Sequence, residues 1–381
     1  MTEKHFQISK VHASEYEELI EFINGVFNIK FPELLPKLYL NHPEHAGSHY
    51  AIREENELRA VVGAFPLEFE VCEIPMKVTG IGSVSTHLES RGQGHMAFLL
   101  KQIAIDMRNV GVAFSTLSGQ RQRYENYGFT NLGQLMSFAL NKQNIKHRIK
   151  RKEPIFNFVE MSSSNISDLK VCLSYNNRMP LNSRRHTPES FLEIINSWDS
   201  TPYFVYQGVS LAGYITAKGN QINEVVVFKE ENFVDVLADF TMHLGEYEIT
   251  LDLLPHQQKE IAELSDICER FSVKQSGTFF IIDYPKVIQS FLIYKSTYSK
   301  LEDGSFVIEI LDHGRYEISV VKGHPYVVKT RKKANYLFNH IQASMFLFSF
   351  SSLYDGSYDR LPAAAKSWLP IPIFFPKMDN V

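Results

Sequence analysis

A chain of 381 residues exceeds what one hydrophobic core usually organises, so two or three domains are expected. The apolar fraction of 44% and charged fraction of 22% are those of an ordinary globular chain, and a net charge of −4 excludes a global pull toward nucleic acid or acidic membranes. Three scattered cysteines with no CxxC pair exclude a disulfide framework and fit a reducing, cytoplasmic compartment.

The N-terminus lacks the basic-then-apolar order of a secretory signal, and the run Met345–Phe350 is far below the roughly 18 residues of a membrane span. Ser14 followed by Glu17, ahead of Leu19, Ile20, Phe22, Ile23, Val26 and Phe27, predicts a capped helix. Residues 57–63 and 67–72 read as neighbouring strands, 75–77 as the start of a third, and 78–86 as a fourth. Met96, Leu99, Leu100, Ile103, Ala104 and Met107 predict a helix over 95–110, closed by Gly111 and followed by a strand at 112–117.

The basic run 141–154 reads as a solvated connection, since no aromatic residues interleave to suggest a nucleic-acid surface. Beyond it, a hairpin at 204–217, a strand at 223–228, a helix at 233–244 and a strand at 248–253 repeat the first rhythm without a glycine-rich loop. Short strands at 305–311, 316–321 and 325–329 then lead to an apolar helix over 334–348. The tail 369–376 carries too many large apolar residues to hang free, so it is expected to dock.

Arg91-Gly92-Gln93-Gly94-His95-Met96-Ala97 follows a strand and opens an amphipathic helix. Such a turn aims backbone N–H groups and the positive end of a helix dipole at one point, which favours phosphate. The same glycines satisfy a dinucleotide fingerprint. However, they lie beyond the first turn after the strand, and no acidic residue ends the next strand, Phe114 to Gly119, to hold a ribose. No metal is expected, because the fourteen histidines show no ligand spacing, and there is neither a P-loop nor a nucleophile elbow.

The order of strand Val84–Thr86, loop Arg91–Gly94, helix, strand, and then Tyr124-Glu125-Asn126-Tyr127-Gly128-Phe129 resembles the GNAT acetyltransferase superfamily. Met96 stands where Gly or Ala is usual, which resembles the enhanced intracellular survival (Eis) branch in particular. Leu301–Gly304 and Leu353-Tyr354-Asp355-Gly356 resemble its sterol-carrier-like domain. The resemblance implies a mixed α+β chain of tandem GNAT folds, each a central mixed sheet flanked by helices. Residues 1–150 would be catalytic, 151–288 a degenerate copy, and 289–381 a sterol-carrier-like domain whose tail reaches the active site.

It further implies acetyl-CoA as cosubstrate, held by Val84, Ser85, Thr86, Arg91, Gly92, Gln93, Gly94, His95, Met96, Ala97, Gly119 and Gln120. Tyr124 would be the general acid, and the terminal carboxylate of Val381 the general base, with His87 and His95 as other titratable groups. The acceptor would be a primary amine on an aminoglycoside- or polyamine-like polycation or on a lysine side chain, in a homo-oligomer such as a hexamer, with no nucleic-acid or membrane partner. The rival reading is a non-catalytic protein that holds a lipid in the sterol-carrier-like domain. The coexistence of Arg91, Gly94 and Tyr124 counts against it.

Overall fold

A computed structural model describes residues 7–151, 153–354, 356, 359 and 361–381. Met1–Phe6, Lys152 and Asp355, on which some of the sequence-based expectations rest, lie outside the described residues. The fold is α+β, and the described residues build three sheets.

The first sheet starts with β1 (Ile8–Lys10), β2 (His49–Glu54), β3 (Glu57–Val71), β4 (Ile74–Thr86) and β5 (Phe114–Leu117). The four short strands expected between 57 and 86 are two long ones, joined at Cys72 and Glu73 with φ of 49° and 66°. Pro66 pairs with Thr79 on β4 and lies past the end of β2, whose pairing stops at Gly63. A missing N–H costs nothing at such an unpaired edge.

Between the first strands run α1 (Tyr16–Phe27), α2 (Phe31–Leu34) and α3 (Pro36–Tyr39). The expected Ser14 cap is displaced by a 3-10 turn at Ala13–Glu15, in which His12 N–H donates to the Glu15 carboxylate at 2.7 Å. α4 (His95–Asn109) buries Leu99, Leu100, Ile103 and Met107 against the sheet, and α5 (Arg121–Tyr124) follows β5.

β6 (Thr130–Leu132) and β7 (Leu135–Asn141) then part company. β6 stays in the first sheet, but its partner there is Gly277–Ile281, which also pairs with β5. β7 joins the second sheet between Phe271–Lys274 and Glu248–Leu253. A cut between residues 150 and 151 therefore separates β7 from its own sheet.

The basic run forms a capped helix at Lys142–Arg148, and Arg151 pairs with Asp235 and Asp239 at 3.0 and 2.6 Å. The third sheet orders His324–Lys329, Gly314–Val321, Gly304–Ile310 and Tyr336–Phe338. The helix expected over 334–348 begins only at His340, because Tyr336–Phe338 pairs as a strand with Ile308–Ile310 and Asn339 caps the helix after it. Trp368 stacks on Phe306 over this sheet, and the core there is continuous with Phe69 and Phe114 of the first. Among the described residues no helix is long and apolar enough to cross a membrane.

Candidate active site

β4 and β5 run parallel through Val78–Phe114, Thr79–Ser115, Gly80–Thr116 and Ile81–Leu117, and there the pairing stops. β4 continues to Thr86 alongside β3, so the edge of Gly82–Thr86 that faced β5 turns to an opening. A bulge lies at the point of parting: between the pairs Gly63–Gly82 and Val61–Ser85, β4 carries the extra residue, with Ser83 at φ 45°. Bulges re-aim strand groups in this way beside active sites.

The turn before α4 lies at the same end. Arg91, Gly92, Gln93 and Gly94 are exposed; Gly92 and Gly94 hold φ of 77° and 89°, and a Cβ on either would meet nothing within 4 Å. Phe98 N–H makes the first helical bond, to Gly94 O at 3.0 Å, so the N–H groups of His95, Met96 and Ala97 precede the helical ladder. No acidic side chain lies in that first turn to offset its positive end. The cradle thus fits a phosphate in shape and sign. The His95 side chain does not face it; the ring is buried, with Nε2 at 3.7 Å from Glu54 Oε1. His87 is half-buried, with Nδ1 at 3.9 Å from Glu89.

Across the opening, Gly119 packs on Tyr124: a Cβ there would come within 2.7 Å of the ring. Tyr124 is 6% exposed and edges onto Phe129. Burial raises its phenol above the usual value, with Arg123 opposing in part, so the hydroxyl is protonated at neutral pH. Gln120 is exposed beside it.

The tail docks from the other face of β4. A Cβ on Gly80 would lie 2.5 Å from Val381 Cγ2, and one on Gly82 would lie 3.1 Å from the terminal carboxyl carbon. The chain end therefore lies where β4 leaves β5. Lys37 Nζ donates to the carbonyls of Met378 and Asn380, Trp198 Nε1 donates to Asn380 O at 3.3 Å, and Asn380 Nδ2 donates to Ser118 Oγ at 3.3 Å. Burial lowers Lys37 to about 7, with Asp379 opposing.

Arg185 grips Asp379 at 2.8 Å and Glu224 with two bonds of 2.8 Å; Arg185 and Asp379 are buried and Glu224 is partly so. Farther up the tail, Lys295 Nζ donates to Trp368 O and Pro370 O at 3.0 and 3.1 Å. None of these anchors stands out in the sequence. Gly80-x-Gly82 inside a strand is the available signal, since strand glycines mark close approach. Lys37 and Arg185 carry no local signal, because their partners in the tail lie 194 or more positions away.

A cavity of about 560 Å³ opens from Ser118 and Gly119, between the first two sheets and the tail.

Residues 7–131 match the family described as acetyltransferase (GNAT) domain. No curated protein matches the chain. Among solved structures, the chain is similar to a GCN5-related N-acetyltransferase from Kribbella flavida, with 13% identity, a TM-score of 0.68, and coverage of 99% of this chain and 98% of that one. A GCN5-related N-acetyltransferase from Anabaena variabilis shows 14% identity, a TM-score of 0.68, and coverage of 99% and 100%. Eis1 from Mycobacterium abscessus shows 12% identity, a TM-score of 0.65, and coverage of 98% and 100%. At such identities the likeness is one of fold. The match over residues 7–131 supports an acyltransferase, and a GNAT domain implies acetyl-CoA as cosubstrate.

Proposed function

We propose that this chain is an N-acetyltransferase of Eis-like architecture, which moves the acetyl group of acetyl-CoA to a primary amine. The observation that carries the reading is the opening beyond Ile81–Leu117, which has the α4 turn and Tyr124 beside it and the terminal carboxyl carbon against Gly82.

In this reading Arg91–Ala97 hold the diphosphate, and Val84–Thr86, Gly119 and Gln120 line the arm of the cosubstrate. An N–H on the open edge of β4 would meet the developing oxyanion. The amine nitrogen attacks the thioester carbon, its proton leaves to the Val381 carboxylate, directly or through water, and the C–S bond breaks. The thiolate, with an ordinary pKa of about 8.5, is met by the Tyr124 hydroxyl. The phenol is the weaker acid here, so it acts mainly by hydrogen bonding to developing charge.

The three units, 1–150, 151–288 and 289–381, form part of the proposal, as do the sterol-carrier-like character of the last, a homo-oligomer and a cytoplasmic location. Polyamine-like and lysine-like amines are both candidate acceptors.

Thiol release from acetyl-CoA with a panel of amines tests the proposal. Tyr124→Phe is expected to lower kcat about 10- to 100-fold, the worth of one hydrogen bond to a charged group, while acetyl-CoA affinity by calorimetry is retained. Binding of acetyl-CoA with no turnover for any amine, or unchanged kcat in Tyr124→Phe, would count against it.

A further inference from the structure

The charges around the cavity carry a statement about the acceptor. Three carboxylates line it: Glu224, Asp252 and Asp379. Glu224 accepts two bonds from Arg185 and a third from Tyr214 OH at 2.6 Å, and both oxygens of Asp379 are taken by Arg185. Asp252 pairs with Lys274 at 2.7 Å. Each acidic group in the wall is therefore already committed to a cation. A polycation entering the cavity would have to compete with Arg185, which is itself buried and whose bidentate pairs are hard to replace.

Lys377 stands differently. It lines the same cavity, and its ammonium donates to an amide oxygen, Asn223 Oδ1, at 2.6 Å. It is held below its ordinary pKa first by burial, with Asp252 opposing and with Lys274 and Lys218 adding to the lowering. Both of those neighbours have carboxylate partners, Asp252 and Asp199. A solvent-exposed cation that lines a cavity and makes no ion pair among the described residues is a place where an incoming anion gains. Leu253, Leu254, Val225, Phe374 and Phe375 supply apolar surface in the same wall.

We infer that the acceptor is an amine that also bears a carboxylate, of amino-acid or short-peptide size, with its carboxylate at Lys377 and its amine toward Ser118 and Gly119. The inference rests on the acetyltransferase reading and narrows its acceptor. The volume of about 560 Å³ suits such a molecule, within the ordinary range of small-ligand sites.

The test compares kcat/KM, by thiol release from acetyl-CoA, for an apolar amino acid and a dipeptide, for their C-terminal amides, and for spermidine. The acids are expected to exceed their amides about tenfold, the worth of one charge-assisted hydrogen bond, with spermidine poorest. Lys377→Gln is expected to bring the acid-to-amide ratio close to one, and Lys377→Arg to restore it. Amides equal to acids, spermidine as the best acceptor, or a ratio unmoved by Lys377→Gln would overturn the acceptor class while leaving the transferase standing. No thiol release with any amine would overturn both.

Discussion

The imidazole of His49 has no exposed surface. Nδ1 faces the carbonyls of His45 and Ala46 at 3.1 and 3.2 Å, and Nε2 lies 3.1 Å from Tyr39 OH. Burial pulls it down to about 4, against the partial help of those carbonyls. The folded value is thus below the unfolded 6.5, so between pH 6.5 and 4 the unfolded chain takes a proton that the folded chain refuses. Stability is full above pH 6.5 and falls as pH drops through that window, by about 3 kcal/mol at most from this residue. Denaturant titrations from pH 8 to 4 should show that slope, and His49→Gln should flatten it whatever its effect at pH 8. An equal slope in both proteins would show that His49 is not its source. His49 carries no sequence signal, because a histidine becomes a core residue only through the partners that enclose it. Tyr124 can be named from the sequence because its neighbours Gly128 and Phe129 form a local turn.

Among the elements, the β3–β4 hairpin and the tail divide what local pattern can and cannot convey. Gly63 and Pro66 look like breaks in isolation. Only the shortness of β2 makes Pro66 harmless and lets β3 run on to Val71. The tail's apolar residues do announce docking, and Ile371, Ile373, Phe375, Met378 and Val381 are buried. Its endpoint is not legible from composition, since Lys37, Arg185 and Trp198 reach it from remote stretches. If the carboxylate of Val381 takes the proton of the amine, two glycines added after it should lower kcat about 100- to 10,000-fold, while acetyl-CoA affinity holds. Val381→Ala loses packing against Gly80 but keeps the carboxylate, and should lose much less. Equal losses in the two variants would assign the tail a packing role alone.

At the scale of the whole molecule, the exchange of strands governs how the chain can come apart. β6 pairs with Gly277–Ile281, and so does β5, so the first sheet is incomplete until residues almost 150 positions downstream have been made. β7 in turn lies between two strands of the second sheet. The tail then ties Lys37 of the first stretch to Arg185 of the second through Met378–Asn380. A fragment of residues 1–150 would present the edge of β5, an unpaired β6 and β7, and the uncovered side chains of Phe114 and Leu132, a surface that favours aggregation over folding. Such a fragment should therefore show neither a cooperative thermal transition nor acetyl-CoA binding, although it contains the whole α4 turn and Tyr124. Co-expression with residues 151–381 should restore both. The intact chain should lose its secondary structure and its tryptophan signal together. Trp198 reports on the tail at Asn380 and Trp368 on the third sheet, so coincident melting by circular dichroism and fluorescence reads the coupling directly. Two separated transitions, or a soluble 1–150 fragment that binds acetyl-CoA, would mean that the exchanged strands do not bind the first two sheets into one folding unit.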